Sequence, residues 1–162
     1  MFVMLPVEHT GYFRDYLMAQ YHLAILKKPY LNAIVSGQKR IESRFTKTKC
    51  PPFGRVWPGD KIFLKESSGS VSAIATVTAV KSFKDLTPDR IIQLKAQYNH
   101  DINGTDDIWR TKMDCRFGVL IWLKDVEPIE PVWINKKDWR AWVVLTEKEN
   151  FGLLKINAEK IK

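Results

Sequence analysis

Cysteine is scarce: Cys50 and Cys115 are the only two, 65 positions apart and without a CxxC pair. A disulfide framework and a thiolate zinc cluster therefore lack a sequence basis, and both thiols are expected to be reduced. Histidine is equally thin. His9, His22 and His100 are scattered, with no HExxH and no Cys/His grouping at ligand spacing, so neither a metal nor any other cofactor is expected. Long hydrophobic runs are missing too. The longest, Phe117 to Leu123, has seven residues, against the roughly 20 that a bilayer-spanning helix needs. Met1 to Val7 is apolar but has no basic flank and no small-residue cleavage site, so a cytoplasmic protein without membrane contact is the expectation. GxxxxGK[ST], GxGxxG and GxSxG are all absent, which leaves phosphate-loop, dinucleotide-fold and serine-hydrolase chemistry without local support.

What remains is a chain of 162 residues, 45% hydrophobic and 27% charged, a composition that suits one globular domain. Its formal charge of +8 is unevenly placed. The stretch from His22 to Lys65 holds ten basic residues against Glu42 and Asp60, while the rest of the chain is neutral. Charge gathered this way forms one positive surface, and a polyanion, above all nucleic acid, is its natural partner. Lysines that only solubilise a surface give the same count.

The pattern along the chain places that charge. Residues 1–20 show no clean period and are read as an N-terminal extension, with the domain over 21–162. Tyr21 to Leu26 reads as a strand. Pro29 opens a helix whose apolar positions are Tyr30, Leu31, Ile34 and Val35, and Gly37 caps it after Ser36. Lys39 to Phe45 alternates, with Ile41 and Phe45 on one face and Arg40, Glu42 and Arg44 on the other. Pro58-Gly59-Asp60 turns into a strand from Lys61 to Lys65, paired as a hairpin with Val71 to Val80. Thr87-Pro88-Asp89 starts a helix running to about Tyr98, with a shorter one from Thr105 to Met113. Phe117 to Val126 and Ala141 to Leu145 read as strands, and Phe151 to Ile156 as a weaker strand. Several short strands in so small a chain favour an α+β, mostly β fold: a closed or nearly closed barrel with flanking helices.

The octapeptide Gly37-Gln38-Lys39-Arg40-Ile41-Glu42-Ser43-Arg44 stands out, with Lys28-Pro29-Tyr30 before it and Pro58-Gly59-Asp60-Lys61 after it. Together these resemble the ASCH domain, a PUA-like β-barrel family with the pattern GxKxxExR followed by a GD turn, over about Tyr21 to Leu145. The resemblance implies a cleft near the motif and RNA or nucleoside-like ligands. Some members of the family are amidohydrolases acting on acetylcytidine, and others are described as ribonucleases. In the amidohydrolase branch the motif carries threonine where this chain has Glu42, so only Lys39 matches the residues assigned to catalysis there.

Residue type suggests the roles. Arg44 presents a planar fork to a phosphate, carboxylate or base edge, and Lys39 a compact charge whose pKa falls on burial. Glu42 can accept hydrogen bonds from a base amino group or activate water, so Lys39 and Glu42 are the catalytic candidates if the protein is an enzyme. An internal Glu42–Arg44 or Lys39–Glu42 ion pair closing the barrel end explains the same residues without a ligand. Arg40 joins these three as a binding candidate, and Lys47, Lys49 and Arg55 are expected to meet phosphates. Lys65, Glu66 and Ser67, at the end of a strand, are expected to line a cleft wall, and Trp57 is the best placed of six tryptophans for stacking on a base. Trp122 is expected inside, while Trp133, Trp139 and Trp142 form a second rim. Replacing Arg44 with Ala is expected to weaken binding without unfolding the domain. A small hydrolase using the same cleft is the rival reading, and a protein-interaction module on the basic face is a third.

Overall fold

The computed structural model describes residues 19–160. The extension expected over residues 1–20 therefore lies, up to residue 18, outside them. Gln20 is fixed by its backbone, donating to Asp60 Oδ1 at 2.9 Å and accepting from Lys61 N at 2.9 Å.

Six strands and four helices follow among the described residues. They are β1 (Tyr21–Leu26), α1 (Lys28–Ser36), β2 (Ile41–Thr46), β3 (Lys61–Glu66), β4 (Val71–Phe83), α2 (Pro88–Ile102), α3 (Asp106–Arg110), β5 (Phe117–Val132), β6 (Trp142–Leu145) and α4 (Leu153–Lys160). The strands make one mixed sheet in the order β2-β5-β4-β3-β1-β6, with β1 and β3 parallel and the other neighbours antiparallel. The sheet curls into a half-barrel, as the short-strand pattern requires of a chain with few ways to hide strand edges.

Period-two alternation divides the core. Ala24 and Leu26 of β1, Ile62 and Leu64 of β3, Ala73, Ala75 and Val77 of β4, and Val119 and Ile121 of β5 pack with Leu31 and Ile34 of α1. Leu23, Phe63 and Ile74 face the other way and meet Val143, Leu145 and Leu153. A third cluster joins Ile41 and Phe45 of β2 to Ile91 and Leu94 of α2 and Trp109 of α3.

Local signals account for most boundaries. Gly37 takes a φ of 87° and donates its N–H to Ile34 O at 3.1 Å, ending α1 in the left-handed conformation that a side chain would resist. Thr87 caps α2 by accepting from Arg90 N at 3.2 Å. This helix outruns the expected end at Tyr98, because its buried stripe of Ile91 and Leu94 continues to Ile102 before Asn103 turns left-handed. Two strand expectations are revised. β5 continues past Val126 through Pro128 and Pro131. Beyond Trp122 it has β4 as its only paired strand among the described residues, so prolines fall where no second ladder needs an N–H. Phe151 to Ile156 is not a strand; a turn leads into α4, with Asn150 Oδ1 accepting from Gly152 N and Leu153 buried completely against the sheet.

The half-barrel stays open between its edge strands β2 and β6. Arg44 of β2 spans the gap, donating from Nη1 to Ala141 O at 3.2 Å and from Nη2 to Ile25 O at 3.0 Å. One side chain thus joins edges that the backbone leaves apart.

Candidate functional site

Pairing dictates where the motif's charges go. Glu42 lies opposite Ile121 and Arg44 opposite Val119, both residues of the inner core, while Ile41 and Phe45 turn toward the helices. Glu42 and Arg44 therefore enter the inside of the half-barrel at one end. A carboxylate taken out of water must be paired, and Arg44 Nε reaches Glu42 Oε1 at 2.9 Å. Lys39, held just after Gly37 by its N–H to Ala33 O, is also buried. Its Nζ donates to Ile102 O at 2.8 Å, stands 3.7 Å from Glu42 Oε2 and lies over the Tyr30 ring. Burial pushes the Lys39 pKa below the ordinary lysine value; Glu42 opposes that shift and the Arg44 charge adds to it.

One atom is left over. Glu42 Oε2 is buried and has no hydrogen-bond partner among the described residues, since Lys39 stands too far away for one. An orphaned carboxylate oxygen is costly. Glu42 lines a cavity of about 370 Å³, shared with Lys39, Arg44, Lys27 and Tyr30 and walled by Ile102, Gly104, Ile108 and Lys112. Gly104 keeps that wall thin: a Cβ there would stand 3.0 Å from the Trp109 indole nitrogen. Asn99 fixes the turn, its Oδ1 accepting from both Gly104 N and Trp109 Nε1.

Beneath this site lies a second polar network. Asp60, from the Gly59-Asp60 turn, accepts from Gln20 N, Trp57 N and His22 Nε2 at 2.8 to 3.0 Å. Trp142 Nε1 in turn donates to His22 Nδ1 at 3.1 Å, which fixes the neutral tautomer with its proton on Nε2. The Arg44 guanidinium lies 5.3 Å over the Trp142 ring, so the turn, β1, β6 and the motif form one unit.

The remaining candidates disperse. Arg40 precedes β2 with its backbone tied between Asp101 O and Leu123 N and its side chain exposed, outside this cavity. Lys47 pairs with Asp114 at 2.7 Å, and Lys49 lies over the Phe53 ring. Arg55 lines a neighbouring cavity of about 500 Å³ with Arg44, Arg140 and Trp142. Lys65 and Ser67 line a third, of about 420 Å³, with Lys136 and Trp139. Trp57 is at the surface, outside all three. Trp122 is half-buried, edge-on to Tyr98, rather than inside. Trp142 belongs to the core, whereas Trp133 and Trp139 are exposed. Sequence reasoning missed the wall formed by Ile102, Gly104, Ile108 and Lys112. Asn103-Gly104 was its one visible trace, a helix stop without a stated purpose.

No group of three or more metal-ligating side chains occurs among the described residues. Cys50 and Cys115 are free, and no described helix is long and apolar enough to cross a membrane.

The geometry defines a β half-barrel with a charged cavity at its open end. A family model for the ASCH domain matches residues 25–144, and the chain belongs to the ASCH domain family. The crystal structure of an ASCH protein from Zymomonas mobilis superposes with a TM-score of 0.65 at 18% identity, covering 84% of this chain and 94% of that one. A point mutant of the same protein gives 0.65 at 19%, covering 84% and 95%. At that identity the likeness establishes the fold. No curated protein matches the chain in sequence.

Proposed function

We propose that this protein binds RNA or a modified nucleoside or nucleotide in the cavity of Lys39, Glu42 and Arg44. The observation that carries the reading is the buried Glu42 Oε2 without a hydrogen-bond donor, on a residue that lines a cavity of about 370 Å³, within the range of small-ligand sites. A base amino or imino group supplies the missing donor. Tyr30 offers an aromatic wall, and the cations along the motif favour an anionic or electron-rich guest. Family membership supports the same class, because ASCH domains are associated with RNA and nucleoside-like ligands.

The test is a binding screen of nucleosides and short single-stranded RNAs, with parallel detection of hydrolysis products. Glu42→Gln should weaken the tightest ligand by about tenfold or more, because an amide presents a donor where the ligand needs an acceptor. RNA affinity should fall steeply with salt. Binding that is unchanged in Glu42→Gln and insensitive to salt overturns the proposal.

A hydrolase reading is favoured by one feature, the burial-lowered pKa of Lys39 beside the cavity. Glu42 would activate water and Lys39 would meet the developing negative charge. Against it, Glu42 Oε1 is already held by Arg44. Turnover of acetylcytidine or RNA that disappears in Glu42→Gln would establish it.

A further inference from the structure

Lys65 is a buried lysine whose ammonium has no carboxylate in direct contact. Its residue is 9% exposed, its Nζ donates to Glu66 O at 3.0 Å, and it forms no ion pair among the described residues. Nearby, the Lys136 side chain is also buried, at 6% exposure, and pairs with Asp138 at 2.8 Å. Burial and the Lys136 charge push the Lys65 pKa down, and the Glu66 carboxylate opposes them. Two like charges facing one cavity repel one another. Both line the cavity of about 420 Å³, together with Ser67, Ser68 and the fully exposed Trp139. Asp138 and Arg140 line it too, the carboxylate held by Lys136 and Arg140; the remaining cationic excess and two serines suit a phosphate, and a solvent-facing indole beside them suits a base. This cavity shares Ile25, Leu26 and Lys27 with the cavity of Glu42, so the two depressions adjoin across the end of β1.

We propose that the Lys65–Ser67–Lys136 cavity is a phosphate subsite with Trp139 as its stacking platform, and that the ligand is therefore single-stranded RNA spanning both cavities rather than a free nucleoside. The inference rests on the first cavity receiving one nucleotide. Lys27, on the shared border, meets the intervening backbone.

Fluorescein-labelled single-stranded RNA pentamers of mixed sequence, followed by anisotropy over a potassium chloride series, test it in the whole protein. Trp139→Ala should weaken binding about tenfold, the size of one lost base stack, with the salt slope unchanged. Lys65→Met should weaken it and lower the salt slope by about 0.7, the single-strand value for one phosphate contact. Lys124→Met, a surface charge on β5 outside both cavities, serves as the charge control. If Glu42→Gln lowers affinity while Trp139→Ala and Lys65→Met both match wild type, the second subsite is refuted and the first reading stands. If Trp139→Ala and Lys65→Met act while Glu42→Gln does not, the first reading fails and the spanning ligand fails with it. Because Trp139 packs against nothing, its variant answers the question even if Lys65→Met does not fold.

Discussion

Arg44 does more than its place in a binding motif suggests, and replacing it is a sharp test of how this half-barrel closes. Its guanidinium bonds Glu42 Oε1, Ala141 O and Ile25 O at 2.9 to 3.2 Å, and its side chain is only 16% exposed. Arg44→Ala removes three charge-assisted hydrogen bonds and leaves the buried Glu42 facing Lys39 alone at 3.7 Å. Breaking a buried pair costs about 3–5 kcal/mol. Partial exposure argues for the lower end, about 3 kcal/mol, a large share of the roughly 5–15 kcal/mol that holds a domain together. With a urea slope of about 2 kcal/mol per molar, the midpoint should fall by about 1.5 M at neutral pH. Arg44→Lys keeps the charge but loses the fork and should fall about half as far. To the sequence-based expectation that Arg44→Ala weakens binding without unfolding the domain, the closure adds a loss of stability. A midpoint within about 0.3 M of wild type would refute the closure argument, because it would mean the edges of β2 and β6 hold together without their bridge.

Other expectations follow from the same geometry. Asp60→Ala strands Gln20 N, Trp57 N and the His22 imidazole and should cost about 3 kcal/mol in urea unfolding; a loss below about 1 kcal/mol would show that water replaces the carboxylate. Lys39 has a folded pKa below its ordinary 10.5, so between the two values the unfolded chain binds the proton that the folded chain has released, and stability rises with pH. Wild type should therefore gain on Lys39→Met as pH rises toward the ordinary 10.5, and a constant or narrowing gap contradicts the burial of that ammonium. Of the two thiols, Cys50 is half-buried in a cavity wall, whereas Cys115 is buried with its pKa raised by desolvation. A thiol-reactive disulfide reagent should titrate Cys50 first in the native protein and Cys115 only on unfolding; equal rates would place Cys115 at the surface.

Short-range chemistry made much of the fold legible. Gly37 ends α1, Thr87 caps α2 and the β3–β4 hairpin follows the Gly59-Asp60 turn, each because one residue type satisfies one backbone demand. What escaped was decided at a distance. Pro128 and Pro131 lie beyond the expected strand end at Val126, yet β5 carries them where, among the described residues, one of its sides is unpaired. Leu153, Leu154 and Ile156 look like a strand until Asn150 and Gly152 turn them onto the sheet as a helix. The site divides in the same way. Alternation along β2 puts Glu42 and Arg44 on one face, where an ion pair and a ligand site are alternative readings of the same residues; both the pair and a cavity are present. Arg40 has the same spacing but precedes the strand and reaches solvent. The wall from Ile102 to Lys112 could not be found from the motif, because it lies more than sixty positions away in sequence and meets Lys39 only through folding.

The central claim is that Glu42 Oε2, with only the Lys39 charge nearby at 3.7 Å, keeps its hydrogen-bond acceptor free for a ligand. The most direct measurement is a crystal structure of the complex with the tightest binder from the nucleoside and RNA screen. The account predicts a ligand nitrogen within hydrogen-bond distance of Glu42 Oε2, with Arg44 still bonded to Oε1. A ligand seated elsewhere, or Lys39 closing onto Oε2 while the cavity excludes the ligand, would contradict it.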